Sequence, residues 1–495
     1  MLRFALMIAG GADERSKNTS GMGGAASSSV VLRPSLLLDT STKVPGLQGG
    51  ATLVSFSSPR IDDGRILFDG QADTGFKTGV FGAERSGNNA SRLDVRRLAW
   101  SDSNASYLYD GSGGAGTVAF IGIGPNASGL YVMRTSQDVA PQLVLRSGDV
   151  LPGTPGRIIG PAVGRGLRDV DTNANASEGM LFVALTDQSF GIFLAQSPTV
   201  SNGDVAISAI AVNGSTSLPG CPMGHATVGA VGVAPMLGPG AVVASFYAGN
   251  GEMTTTPTAC EGIYIWCRRR QTTVIDVVAD TQRQAAAPVT SGSSAGARFT
   301  AFGQSSIAAS IVDFAAADVA FYADSRSTTS GAVRRGVYLQ PAAAARSRGE
   351  SHSIRPPLQL VADTTMIAPL QTPRDENQSP DFTRNFTSFD AVTVHSGAVV
   401  FRAQVQGQQG IYLRDRSGFI HVVVNAQTPA PPPAKPGSKF QYVELSSRAF
   451  DGHYVVFYAL VGGGPDIQED RDGHGAATPP VSKGLWYVDV SHITS

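Results

Sequence analysis

The chain has 495 residues, 42% of them hydrophobic and only 16% charged, with a formal net charge of −1. That apolar content excludes wholesale disorder, and the near-zero charge gives no electrostatic case for nucleic acid or an anionic membrane surface. No apolar run reaches the roughly 18 residues of a spanning helix.

In chain order, Met1-Leu2-Arg3 and the apolar Phe4 to Ala9 run into Gly10-Gly11-Ala12, where Gly10 and Ala12 satisfy a small-residue cleavage rule. The segment reads as a short signal peptide, as a start placed too late, or as an outer strand of a ring. Residues 13 to 30 are rich in Ser, Gly and Ala and are expected to be flexible. We therefore divide the chain into an N-terminal segment, 1–30, and one domain, 31–495.

Within that domain, Gly followed by a branched apolar residue and an aromatic recurs seven times. It stands at Gly79-Val80-Phe81, Gly129-Leu130-Tyr131, Gly191-Ile192-Phe193, Gly262-Ile263-Tyr264, Gly336-Val337-Tyr338, Gly410-Ile411-Tyr412 and Gly484-Leu485-Trp486. The spacings are 50, 62, 71, 74, 74 and 74 residues, and three equal intervals argue for a repeat. A Phe precedes each triplet: Phe68, Phe120, Phe182, Phe246, Phe321, Phe401 and Phe457. The short, variable gap between the two behaves as a hairpin loop does.

A third anchor opens most units. Leu36 to Leu38 leads to Pro45-Gly46, Leu143 to Leu145 to Pro152-Gly153, and Ile210 to Val212 to Pro219-Gly220; Val274 to Val278, Leu358 to Val361 and Ile420 to Val424 are related. Unit 2 opens on Leu98-Ala99-Trp100 and lacks Pro-Gly. A weaker apolar segment, such as Leu53 to Phe56 or Phe440 to Val443, lies between this opening run and the Phe. The units so drawn are 36–85, 98–135, 143–196, 208–267, 274–340, 358–414 and 419–490.

Each unit offers about four β-prone runs and almost no helical pattern. A lone four-stranded sheet cannot bury both faces, whereas sheets packed face to face around an axis can. The expected fold is an all-β propeller of seven blades with about four antiparallel strands each. Six or eight blades follow if unit 2 is miscounted, and a row of sandwiches is the other alternative. The Phe is expected between blades, and the Gly at a tight turn starting the fourth strand.

Residues 389 to 415, FDAVTVHSGAVVFRAQVQGQQGIYLRD, resemble the tandem NxxGxxAF repeats of a group of secreted or surface-anchored β-repeat proteins. The resemblance covers roughly residues 36 to 490 in patches. The motif's Gly matches Gly64, Gly116 and Gly397, its Ala matches Ala119 and Ala320, and its Asn matches only Asn175. It implies repeat architecture and exposure on the outside of the cell, and no chemistry.

Eight of the 13 Asn residues begin Asn-X-Ser/Thr: Asn18, Asn89, Asn104, Asn126, Asn175, Asn213, Asn377 and Asn385. Chance gives roughly two, so a secreted glycoprotein is expected. Pro380 weakens the Asn377 site, and Asn385 beside Phe386 is expected to point into a strand. Of the three cysteines, Cys221 and Cys260 could form a disulfide across the long insertion of unit 4. Pairing with Cys267 instead, or three free buried thiols, is also compatible with the spacing.

Gly292 to Gly296 matches G-x-S-x-G without the strand-to-helix context of a hydrolase elbow. Gly122 to Gly129 reads as a hairpin, since no helix follows to meet a phosphate. Asp466, Glu469, Asp470 and Asp472 could hold Ca²⁺, but the EF-hand order is not met, and a solvated acidic loop is the ordinary reading. The seven His residues show no HExxH and no close pair. Asp62-Asp63-Gly64 reads as a turn, Arg268 to Arg270 as a solvated turn between blades, and Pro429 to Pro436 as a stiff loop inside a unit. No cofactor is implied.

These readings converge on a secreted or cell-surface, non-catalytic binding or scaffold protein, monomeric, with an unidentified protein or glycan partner. The alternatives are a propeller hydrolase or lyase whose site is built by several blades at a channel mouth, and a structural matrix component. Three or more inward-facing carboxylates or His at one mouth would favour the enzyme.

Overall fold

Branched and aromatic residues alternating with Gly-, Pro- and Asp-rich turns leave this chain little to build except short strands. The structure is a computed structural model. It describes residues 32–44, 50–57, 59–62, 64–73, 77–85, 93–101, 107–114, 117–134, 140–160, 166–172, 179–196, 205–213, 215–216, 218–219, 234–238, 241–249, 261–269, 272–281, 285, 297–313, 316–342, 356–369, 384–462 and 482–494.

Strand β1 (Ser35–Asp39) comes first and joins the last sheet. Sheet 1 holds β2 (Leu53–Phe56), β3 (Arg60–Asp62), β4 (Arg65–Ala72), β5 (Thr78–Arg85) and β6 (Leu93–Trp100). Sheet 2 holds β7 (Tyr107–Gly114), β8 (Thr117–Ile123), β9 (Ser128–Arg134) and β10 (Gln142–Arg146). Sheet 3 holds β11 (Leu167–Thr172), β12 (Met180–Leu185), β13 (Phe190–Ala195) and β14 (Ile207–Val212). Sheet 4 holds β15 (Ala234–Gly238), β16 (Ala241–Gly249), β17 (Glu261–Arg269) and β18 (Thr272–Asp280). Sheet 5 holds β19 (Ala297–Asp313), β20 (Ala316–Ser327), β21 (Val333–Gln340) and β22 (Gln359–Asp363). Sheet 6 holds β23 (Phe386–His395), β24 (Ala398–Val405), β25 (Gln408–Arg414) and β26 (Ile420–Asn425). Sheet 7 holds β27 (Lys439–Glu444), β28 (Tyr454–Gly462) and β29 (Ser482–Asp489), with β1 as its outermost strand; the short helix α1 (Ser491–Thr494) follows.

Every pairing is antiparallel, and each sheet's first strand packs on the sheet before it: β7 on β4 and β5, β11 on β7, β15 on β11, β19 on β15, β23 on β19 and β27 on β25. The ring closes where β2 meets β29 and β3 meets β28. There Ile61 N–H donates to the Arg448 carbonyl at 2.7 Å, and the Ser446 hydroxyl donates to the Pro59 carbonyl at 2.6 Å. The fold is an all-β propeller.

The apolar core is a set of layers between neighbouring sheets. Leu130, Ile158 and Phe193 belong to the layer joining sheets 2 and 3, and Val337, Phe389 and Phe401 to the layer joining sheets 5 and 6. The two sequence anchors explain these layers. The preceding Phe and the aromatic of the triplet are direct cross-strand partners in every sheet: Phe68 with Phe81, Phe120 with Tyr131, Phe182 with Phe193, Phe246 with Tyr264, Phe321 with Tyr338, Phe401 with Tyr412, and Phe457 with Trp486. Five of these pairs stack, for example Phe68 on Phe81 at 5.3 Å and Phe401 on Tyr412 at 5.7 Å. Directly opposed aromatic pairs contribute roughly 0.2–1 kcal/mol relative to an Ala–Ala pair.

The structure corrects four sequence expectations. The run that was expected to open each unit in fact closes the preceding sheet: Leu98 to Trp100 ends sheet 1, and Leu143 to Leu145 is the outermost strand of sheet 2. The unit boundaries therefore shift by one strand, and Leu36 to Leu38 crosses to sheet 7. First and last strands carry the same apolar signature, so only hydrogen-bonded pairing distinguishes them.

The triplet Gly was expected at a tight turn opening the fourth strand. It lies inside the third strand, beside a bulge. A Cβ on Gly191 would stand 3.0 Å from the Ala211 carbonyl oxygen and 2.9 Å from the Phe193 ring. The register slips there between Ile192 and Phe193. Close approach of the outer strand, not backbone conformation, excludes a side chain. Finally, Pro429 to Pro436 does not lie inside a unit; it connects sheets 6 and 7, and Arg268 and Arg269 end β17 within sheet 4 rather than between sheets.

Candidate functional site

Antiparallel order gives the ring two unlike ends. One carries the hairpins between first and second and between third and fourth strands. The other carries the central hairpins and the connectors that lead from an outermost strand to the next sheet.

At the hairpin end, sheets 5, 6 and 7 bring together Asp318, His395, Arg416, Asp451 and His453, residues up to 135 positions apart in sequence. Asp318 lies near the start of the second strand of sheet 5 and is 3% exposed. Its carboxylate accepts the Ala342 amide at 2.7 Å and the amide of Gly397 in the neighbouring sheet, while Oδ2 is buried without a hydrogen-bond partner. Burial pushes its pKa above the ordinary carboxylate range, against the opposing pull of those amides and of the His395 and Arg416 charges.

His395 ends β23, lies edge-on to Phe450 at 6.0 Å, and packs on Gly452, where a Cβ would stand 2.6 Å from the ring. Burial pulls its pKa down; Asp451 opposes this, and Arg416 adds to it. Asp451 accepts the amides of His453 (2.9 Å) and Tyr454 (2.8 Å) in its own turn and that of Gly64 (3.0 Å) across the ring closure. Ser396 N–H donates to Ser310 Oγ at 3.4 Å, and Arg416 Nε to the Ser396 carbonyl at 2.8 Å. The gathered carboxylates are thus occupied with backbone amides that tie one sheet to the next.

Further polar ties repeat this pattern. Arg402 forms a two-pronged pair with Asp390 at 2.6 and 2.7 Å and reaches the Val443 carbonyl of sheet 7 at 2.9 Å. Arg60 reaches the Val170 carbonyl of sheet 3 at 2.9 Å, and Tyr109 the Leu167 carbonyl at 2.8 Å. Among the described residues no group of three or more His, Cys, Asp or Glu is arranged to hold a metal ion. A cavity between sheets 1 and 2, against Leu67, Ala83, Leu98 and Val118, has a volume of about 10 Å³, room for one water.

The connector end shows a recurring device that the sequence reading missed. After its outermost strand the chain makes a tight turn closed by Asp, Asn or Thr side chains. Asp39 Oδ1 accepts Ser41 N–H at 2.9 Å, Asp363 Oδ1 accepts Thr365 N–H at 2.8 Å, and Asn425 Oδ1 accepts Gln427 N–H at 2.9 Å. A single antiparallel bridge then pairs the connector with the approach to the next sheet: Lys43 with Thr52, Val150 with Arg157, Ile367 with Asn385, and Pro429 with Lys439. The following residue points inward, with Val44, Leu151 and Ala368 each at most 3% exposed. The bridge residue points outward, Val150 at 60% and Ile367 at 72% exposure, with Lys43 and Pro429 exposed too. The sequence signal for this device is an Asp or Asn at the turn followed within a few residues by a Pro, and the recurring Pro-Gly is one half of it.

Of the residues singled out from sequence, Cys221, Cys260, Asn89, Asn104, Asn175, the carboxylates 466 to 472, the segment 292 to 296 and residues 1 to 31 lie outside the described residues. Cys267 is half-buried on β17, opposite Val274. Asn126 is exposed, and Asn213 and Asn385 are half-buried. Gly122 to Gly129 is the β8–β9 hairpin, as expected. Tertiary structure places His453 within electrostatic reach of His395, a neighbour that spacing in the sequence does not show. His421 bonds Asp415 at 2.8 Å. No helix among the described residues is long and apolar enough to cross a membrane.

No family model matches the sequence, and no curated protein does. Solved structures resemble it in shape. The β-propeller domain of the Trilobed protease from Pyrococcus furiosus is 10% identical, with a TM-score of 0.39 over 88% of this chain and 95% of that one. The polysaccharide lyase Uly1 is 8% identical, with a TM-score of 0.40 over 92% and 97%. A prolyl endopeptidase structure is 10% identical, with a TM-score of 0.39 over 88% of this chain and 48% of that one.

Proposed function

We propose that the protein is a secreted or cell-surface propeller that binds a protein or glycan partner on its connector end without catalysing a reaction, and that it is a distant member of the NxxGxxAF repeat group. The observation that carries this reading is the recurrence of outward-facing bridge residues, Lys43, Val150, Ile367 and Pro429, at equivalent connector positions. Repeated exposed side chains on a rigid frame form a multivalent surface. The test is binding to glycan arrays and candidate ectodomains by wild type and by Ile367→Glu and Val150→Glu. The reading expects at least tenfold weaker binding in these two variants and unchanged binding in His395→Gln.

A second reading, a propeller hydrolase or lyase, is favoured by one observation: the buried, unpartnered Asp318 Oδ2 with His395 and Arg416 within electrostatic reach at the hairpin end. It expects turnover of a polymeric substrate that Asp318→Asn abolishes while Ile367→Glu leaves it intact. Turnover with that dependence would replace the binding reading.

A further inference from the structure

The structure sorts three of the Asn-X-Ser/Thr sequences. Asn126 stands exposed at the tip of the β8–β9 hairpin, in a turn closed by Gly124 N–H donating to the Ala127 carbonyl at 2.7 Å. Asn213 is half-buried at the end of β14. Asn385 is turned inward: its Nδ2 donates to the carbonyls of Thr364 and Thr365, each at 3.4 Å, and its Oδ1 is buried. The nitrogen that would carry a sugar on Asn385 is thus the one that fastens the connector.

A second observation concerns Ser128, the hydroxyl residue of the Asn126 sequence. It lies at the start of β9, 2% exposed, and its Oγ is buried without a hydrogen-bond partner. A buried, unpaired hydroxyl contributes no hydrogen bond to the folded state. Recognition of the unfolded sequence would give this one a role before folding.

We propose that Asn126 carries an N-linked glycan, attached before β9 packs, and that Asn385 carries none. The inference rests on the secretory part of the reading above. In the transfer, Asn126 Nδ2 bonds to the anomeric carbon of an oligosaccharide linked to a lipid diphosphate. The carbon–oxygen bond to the diphosphate breaks, the lipid diphosphate leaves with the electron pair, and the amide gives up one proton. Ser128 is reachable by the transferase only while the hairpin is open, which orders transfer ahead of folding. The glycan would stand on the same end of the ring as Val150 and Ile367, at the margin of the proposed binding surface.

The test is peptide mapping of the full chain from its source, with enzymatic release of glycans marking each occupied Asn as Asp. It is paired with Ser128→Ala and Asn126→Gln made in a secretory host. The expected result is a marked Asn126, an unmarked Asn385, loss of the Asn126 mark in Ser128→Ala, and a melting temperature for Ser128→Ala no lower than that of unglycosylated wild type. Asn126 bare while other sequences are occupied, or a glycan on Asn385, overturns the inference and leaves the secretory reading standing. Glycans on none of the eight overturns both. Efficient modification of the already folded, unglycosylated protein overturns the order of events.

Discussion

A single atom decides several positions in this ring. At Gly191 an added methyl meets a backbone carbonyl and an aromatic ring at once. Gly191→Ala is expected to cost about 2–3 kcal/mol in urea unfolding. Gly407→Ala, where φ is 77° and nothing lies within 4 Å, should cost about 1 kcal/mol from backbone strain alone. Equal losses would refute the close-approach account. His395 sets a pH dependence. The fold holds its pKa below the free value of 6.5, so the unfolded chain takes the proton first. Its contribution is present above about pH 6.5 and is lost as pH falls through the folded value. Asp318 runs the other way: its folded pKa lies above 3.8, so its contribution is fullest below about pH 3.8 and is lost as pH rises through the folded value. Thermal midpoints measured from about pH 7.5 down to about pH 5.5 should fall more steeply in wild type than in His395→Gln. Parallel slopes would rule this out.

At the scale of strands, the facing aromatics and the borrowed first strand bear the load. Phe401 is fully buried against Tyr412, Phe386 and Phe389. Phe401→Ala is expected to lose about 3–5 kcal/mol by chemical denaturation. Strand β1 reaches sheet 7 through a short ladder with β29, and Leu38, 3% exposed, is in the layer with Phe68, Phe81 and Leu485. Leu38→Asp buries a charge there and should cost on the order of 3–5 kcal/mol, with earlier proteolysis between sheets 7 and 1. Wild-type protease resistance in that variant would show that β1 does not close the ring. The Phe and Gly-aromatic anchors were legible before any fold was known because each is a local pattern repeated at similar intervals. The sheet to which a Leu-Leu-Leu or Leu-Val-Leu run belongs was not, because an outer strand and an inner strand bury the same kind of face.

For the whole molecule, closure means that every sheet is covered on both sides, so none gains by leaving alone. The three tryptophans sit in sheets 1, 4 and 7: Trp100, Trp266 and Trp486. Urea unfolding followed by their fluorescence and by far-ultraviolet circular dichroism should give coincident midpoints. Separated midpoints would mean that the ring comes apart in sections. Composition and periodicity alone imply an all-β chain of repeated sheets, because strand propensity and the spacing of aromatic pairs are properties of neighbours in sequence. The meeting of Asp318, His395 and Asp451, the exposure of Val150 and Ile367, and the inward turn of Asn385 arise between sheets. Contacts between residues far apart in the chain follow from how the ring closes, and no local pattern of residue types encodes that closure.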